Sequence, residues 1–173
     1  MARLRPARTY RNIDSQSWAR YSLKKPRKNY VRAMPHTSLL VFNMGTRKST
    51  YTFKATLDAT VPIQLRSNAL ESARQATNRY LESKLPGAYS FRVLVYPHNV
   101  VREHKMATGA GADRISQGMT LAFGRPVSVA ARIKRNQPIF MVETDKQNKD
   151  VVKEAYRRAA SKLSGSFKVN MSY

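Results

Sequence analysis

Residues 102–119, REHKMATGAGADRISQGM, gather side chains that phosphate, metal and proton chemistry all use: Gly109, Gly111 and Gly118 beside Glu103, His104, Asp113, Arg102, Lys105 and Arg114. A nucleotide-binding P-loop needs G-x-x-x-x-G-K-[ST], whose lysine completes the anion cradle. Here Gly118 is followed by Met119 and Thr120, without a lysine. A dinucleotide fingerprint fails as well, because its third glycine falls on Arg114. His98 and His104 stand near Glu103 and Asp113, but no H-x-x-x-H or H-E-x-x-H spacing puts two rings on one helical face. Those histidines, with His36, read as turn or RNA-contacting residues. Serines and carboxylates form no nucleophile–base signature. No catalytic residue, metal site or cofactor is expected.

What remains is an arm. The run shows neither helical nor strand periodicity, and its few bulky side chains, Met106 and Met119 among them, bury too little surface to order it. A long structureless loop in a compact domain is usually functional. Arg102, Lys105, Arg114 and Arg125 surround its base and middle, and glycine lets backbone come close to phosphate. The loop is therefore expected to extend from the domain, mobile in the free protein, and to order against RNA. The plainer alternative is a surface loop without a role.

Charge favours the first alternative. The 173 residues hold 32 Lys+Arg against 10 Asp+Glu, a formal net charge of +22. A compact chain this basic repels itself and calls for a polyanionic partner, nucleic acid first. A membrane surface fits less well, since no helix pattern sets a large apolar face against a basic one. No apolar run approaches a membrane span, no secretory signal is evident, and with no cysteine there is neither a disulfide nor a thiolate site.

The bases are concentrated near the start. Residues 1–40 contain Arg3, Arg5, Arg8, Arg11, Arg20, Lys24, Lys25, Arg27, Lys28 and Arg32 against the single acid Asp14. Prolines at 6, 26 and 35 interrupt any helix, and Tyr10, Trp18, Tyr21 and Tyr30 punctuate the cations. Cations meet phosphates while aromatic rings stack on unpaired bases; alternatively, the rings pack on the domain. Residues 1–37 thus read as a basic RNA-binding arm and 38–173 as one domain. Removing residues 1–32 is expected to leave that domain folded.

The domain must position both basic segments. Residues 51–61, YTFKATLDATV, alternate apolar and polar without exception, as a strand with one buried face does. SLLVFNMG before it reads as a second strand, joined to it by a hairpin through TRKST. SNALESARQATNRYLESK reads as a helix capped by Asn68 with Glu71, burying Ala69, Leu70, Ala73, Ala76, Thr77, Tyr80 and Leu81 and stopped by Pro86-Gly87. Strands follow over 88–97, 126–133 and 138–144, the last two as a hairpin around KRNQ. A second helix over 149–163 buries Val151, Val152, Ala155, Ala159 and Leu163 and ends at Gly165, and SFKVNM closes the chain as a strand. The expected fold is an α+β two-layer sandwich, a mostly antiparallel sheet with two helices on one face.

Five phrases, RPARTYR, SNALESARQATNRYL, FRVLVYPHNVVREHKMATGAGADRISQGM, AFGRPVSVAARI and QNKDVVKEAYRRA, resemble the archaeal and eukaryotic ten-e family of large-subunit ribosomal proteins. The bacterial counterpart is large-subunit protein sixteen. The resemblance covers nearly the whole chain, and KMATGAGADR with GM…AFGRP is its most specific part. It implies an α+β sandwich in the cytoplasmic large subunit, on ribosomal RNA beneath the central protuberance, in the vicinity of 5S ribosomal RNA and of neighbouring ribosomal proteins. It implies a loop, including Arg102, Lys105, Met106, Gly109, Gly111, Arg114 and Gly118, that faces tRNA at the A site and the peptidyl-transferase region. It implies no catalytic residue, cofactor or homo-oligomer. The rival reading is a free-standing RNA-binding or RNA-modifying protein. The chain departs from the family's Arg-Gly-Val/Ile-Pro phrase at Arg32-Ala33-Met34-Pro35 and has Leu39 and Leu40 where bases are common. Lacking the cysteines and C-terminal extension of eukaryotic relatives, it fits the archaeal branch, and its basicity argues against a halophile.

Overall fold

In the computed structural model, residues 5–14, 17, 18, 31, 34–48, 50–107, 109–120 and 122–172 are described. Among these residues, eight strands and three α-helices run in the order β1 (Asn43–Gly45), β2 (Phe53–Ala59), β3 (Ile63–Arg66), α1 (Ser67–Lys84), β4 (Tyr89–Val93), β5 (Asn99–Glu103), α2 (Ala112–Ile115), β6 (Arg125–Ile133), β7 (Pro138–Thr144), α3 (Lys149–Ala160) and β8 (Phe167–Ser172). The α+β sandwich is present, built on two antiparallel sheets. One has five strands in the order β1-β4-β7-β2-β8, the other three in the order β3-β6-β5.

The alternation over 51–61 is strand β2, with Phe53, Ala55, Leu57 and Ala59 buried. Two departures mark its end: Asp58 is buried as well, and Val61 lies exposed past the strand. The buried side of the five-stranded sheet receives α1 and α3. Leu70, Ala73, Thr77 and Leu81 of α1 and Val152, Ala155 and Ala159 of α3 are buried, so the apolar faces read from spacing are the ones that pack. Tyr156 joins them, fully buried, with its hydroxyl donating to the Ala55 carbonyl at 2.9 Å. Burial pushes that phenol well above its ordinary pKa, because a phenolate there would lose its hydration. Leu39 also fills this core, while Leu40 beside it is exposed. On the outer face of α3, Arg157 and Arg158 grip Glu154 and hold its carboxyl down at about 2.

Several local expectations are corrected by tertiary pairing. Strand β1 is three residues long and pairs with β4, so TRKST is no hairpin turn between β1 and β2. The strand expected over 88–97 is hydrogen-bonded as β4 only from Tyr89 to Val93. KRNQ joins β6 to β7, but these lie in different sheets, so the segment is a corner between layers. Helix α1 begins at Ser67, with Arg66 as N-cap and no side-chain capping bond; Asn68 does not cap it, and Glu71 instead binds Arg74 and Gln75. Helix α3 ends at Ala160. Strands β3 and β5, with apolar stretches too short for a period to show, were not anticipated.

Nor is the stretch 102–119 wholly irregular. Arg102 and Glu103 belong to β5, and Ala112–Ile115 form a single helical turn. Gly109, Gly111 and Gly118 all have positive φ with open space around them, so they serve the turns of the chain and not close packing. Among the described residues, no helix is long and apolar enough to cross a membrane.

Candidate nucleic-acid interface

The three-stranded sheet organises both basic segments. In its register Gln64 faces Arg132, and Asn99 faces Ala130, which puts Gln64, Arg132 and Asn99 on one surface. Val100 and Val129 oppose each other on the other surface. The described part of the N-terminal segment lies along the first. Gln64 donates its backbone N–H to the Arg11 carbonyl at 2.8 Å and its side-chain amide to the Tyr10 carbonyl at 2.8 Å. Arg66 donates to the Arg5 carbonyl at 2.7 Å, and Arg132 donates to that of Ile13. At the far edge, the β5 residue Val100 donates its N–H to the Trp18 carbonyl at 2.6 Å, and the Trp18 N–H donates to Asn99 Oδ1 at 2.6 Å. Thus the described residues of the segment meet the β3 edge at Arg11 and the β5 edge at Trp18, each through one backbone hydrogen bond. On the opposite surface Val31 is buried against Val100 and Val129, with Trp18 packed on the same cluster.

Two buried amides hold this crossing together. Gln64 and Asn99 are both buried, and Asn99 donates to Gln64 Oε1 at 2.6 Å while each also binds the N-terminal backbone. The stretches that carry these amides, PIQLR and HNVVRE, are too short for a single polar side chain to stand out as a pattern. Substituting Asn99→Leu strands the Gln64 carbonyl oxygen and the Trp18 N–H, at a cost of about 1–3 kcal/mol. A lower denaturation midpoint with an unchanged denaturant slope is the expected result; an unchanged midpoint would show that the amide pair does not anchor the crossing.

The loop base meets the N-terminal segment at the same end of the sheet. Arg5 pairs with Glu103 at 3.1 Å, and Glu103 stands opposite Arg125 in the β5–β6 register. Tyr10 is close enough that burial first, and then the Glu103 charge, raise its phenol above the ordinary value. Arg102 donates to the carbonyls of Phe123, at 3.0 Å, and Gly124, and its guanidinium lies 3.7 Å from the Phe123 ring centroid. His104 Nε2 is 2.9 Å from the Gly118 carbonyl oxygen, tying the loop's return to its start.

Of the residues singled out from sequence, Arg5, Tyr10, Arg102, Lys105 and Arg125 converge here. Arg8 and Arg11 are exposed along the crossing, whereas Met106, Gly109, Gly111, Arg114 and Gly118 belong to the loop that follows β5. Arg3, Arg20, Lys24, Lys25, Arg27, Lys28 and Arg32, with Tyr21 and Tyr30, lie outside the described residues. Sequence reading missed Glu103 as the ion-pair partner of Arg5, Phe123, and the clamps Gln64, Arg66, Asn99 and Arg132. Among the described residues no group of three or more His, Asp or Glu is placed to hold a metal.

The family model for ribosomal protein L16p/L10e matches residues 18–170. The large ribosomal subunit protein uL16 of Methanococcus maripaludis is 41% identical over 167 residues, covering 96% of this chain and 92% of that protein. Its namesake in Archaeoglobus fulgidus is 41% identical over 157 residues, 90% of each chain. That of Thermofilum pendens is 42% identical over 161 residues, 92% of each. The match takes in both sheets, both long helices and the loop with its base, and on that extent the chain belongs to the ribosomal protein L16p/L10e family.

Proposed function

We propose that this protein is a structural constituent of the large ribosomal subunit that binds ribosomal RNA near the central protuberance, beside 5S ribosomal RNA and neighbouring ribosomal proteins, and helps position tRNA at the A site. The residues for RNA are the arm cations, from Arg3 to Arg32, with Tyr10 and Arg125; those for tRNA are on the loop 102–119. Its relatives are large-subunit proteins by name, and it acts in the cytoplasm as part of that particle without catalysing a reaction. The observation that carries the reading is the convergence of the N-terminal segment and the loop base at one end of the three-stranded sheet. There, backbone carbonyls and Glu103 anchor the ends while Arg8, Arg11, Lys105 and Arg125 stay exposed for phosphate.

Replacing residues 106–117 with a short Gly-Ser linker tests the division of labour. None of the described residues in that stretch is buried, so the melting temperature should move by no more than about 2 °C. Subunits carrying the linker should assemble to a late stage and then fail in tRNA accommodation. Normal tRNA binding and peptide synthesis would reject the role of the loop. Sedimentation of the wild-type chain apart from large subunits would favour a free-standing RNA-binding protein instead.

A further inference from the structure

We propose that Phe123 is a stacking platform for one unpaired nucleobase, seated between its ring, Lys105 and Arg125. The inference rests on the RNA-binding reading above and adds to it a specific pocket. Phe123 is 54% exposed, although an aromatic ring ordinarily gains by burial. It is nevertheless held in place. The Arg102 guanidinium lies 3.7 Å from the ring centroid, and the Trp18 ring meets it at 4.9 Å with an interplanar angle of 74°. Arg102 in turn donates to the carbonyls of Phe123 and Gly124, which locks cation and ring together. Gly124 fixes the backbone next to the ring: its φ is +74°, and a Cβ there would lie 2.7 Å from the Glu103 carbonyl carbon and 2.8 Å from the His104 nitrogen. Only glycine lets the chain turn this close to β5. A ring exposed and yet immobilised gives up little conformational entropy when a partner stacks on it.

The surroundings select the partner. The ring opens on a cleft of about 680 Å³, lined also by Glu103, His104, Lys105, Arg125 and Val127. That is within the size range of small-ligand sites. Lys105 and Arg125 are exposed at this cleft, positioned for phosphates flanking a base. The carboxylate of Glu103 is occupied by Arg5 at 3.1 Å, which offsets its repulsion of phosphate. An aromatic face bordered by cations fits the π-face and phosphodiesters of single-stranded RNA, and stacking tolerates any base.

Trp18 is the only tryptophan, so its fluorescence reports binding beside Phe123. The full-length protein would be titrated with a short single-stranded RNA oligonucleotide and with an abasic chain of equal length. The intact oligonucleotide should bind about 5- to 150-fold tighter, the range that stacking of one base contributes. Phe123→Leu should lose that advantage while keeping the wild-type salt dependence, and Phe123→Tyr should retain it. Equal binding by the folded Phe123→Leu protein, or equal binding of both chains by the wild type, would overturn the pocket. If Phe123→Leu does not fold, ultraviolet crosslinking of assembled subunits decides. A nucleotide joined to the peptide around Phe123 supports the proposal; a crosslink there to protein, or nucleotide crosslinks only elsewhere, defeats it. Absence of salt-dependent binding to either chain is the separate failure of the RNA-binding reading, and the pocket falls with it.

Discussion

Raising monovalent salt from about 50 to about 200 mM should weaken binding of the free protein to single-stranded ribosomal RNA about 250-fold. Each phosphate neutralised on a single strand contributes about −0.7 to the log–log slope, so about six contacts give roughly −4. The chain has the cations for it: a net charge of +22, with Arg8, Arg11, Lys105, Arg114 and Arg125 exposed along the N-terminal crossing and the loop. Single substitutions to alanine should each reduce the slope by about 0.7 if that residue meets a phosphate. Substituting Arg5 should behave differently, because its guanidinium already binds Glu103 at 3.1 Å and releasing it exposes a carboxylate at the interface. A slope near zero over this range would remove the electrostatic basis of the proposed function.

Deleting residues 1–32 should lower the melting temperature by roughly 6–12 °C, for a net loss of about 3 kcal/mol. From sequence, the deletion was expected to leave the domain folded, since every recognised element came later. The structure locates the cost. Removing the segment uncovers Val100 and Val129, takes away their partner Val31, and opens the β3 and β5 edges that Arg11 and Trp18 occupy. Burial of Val31, the six hydrogen bonds from the segment to β3, β5 and β6, and the Arg5–Glu103 pair are lost, partly offset by the conformational entropy regained by the segment. The five-stranded sheet with α1 and α3 keeps its core, so circular dichroism should still report helix and strand. A truncated protein that melts with the full-length one would show that the segment serves RNA alone. Complete loss of structure would show that the second sheet cannot stand without it.

Charge, and the identity of the buried faces, were determined by the sequence alone. Phe53, Ala55, Leu57 and Ala59 on β2, and Leu70, Ala73 and Leu81 on α1, are buried as their spacing requires, because a period of two or of 3.6 is a property of the local backbone. So was the family resemblance, carried by phrases around the loop and both helices. What those faces pack against was decided only by the tertiary structure. A three-residue β1 has no period to read, and its pairing with β4 instead of the nearer β2 depends on contacts distant in sequence. The same holds for β6 and β7, neighbours along the chain that separate into different sheets. It holds most strongly for the interface. Composition marks the N-terminal segment as basic, but its course is set by Gln64, Asn99 and Arg132 across gaps of 54, 81 and 119 residues. Single polar side chains in short strands leave no pattern along the chain; their roles arise only when folding brings a backbone carbonyl or N–H within reach of the amide or guanidinium.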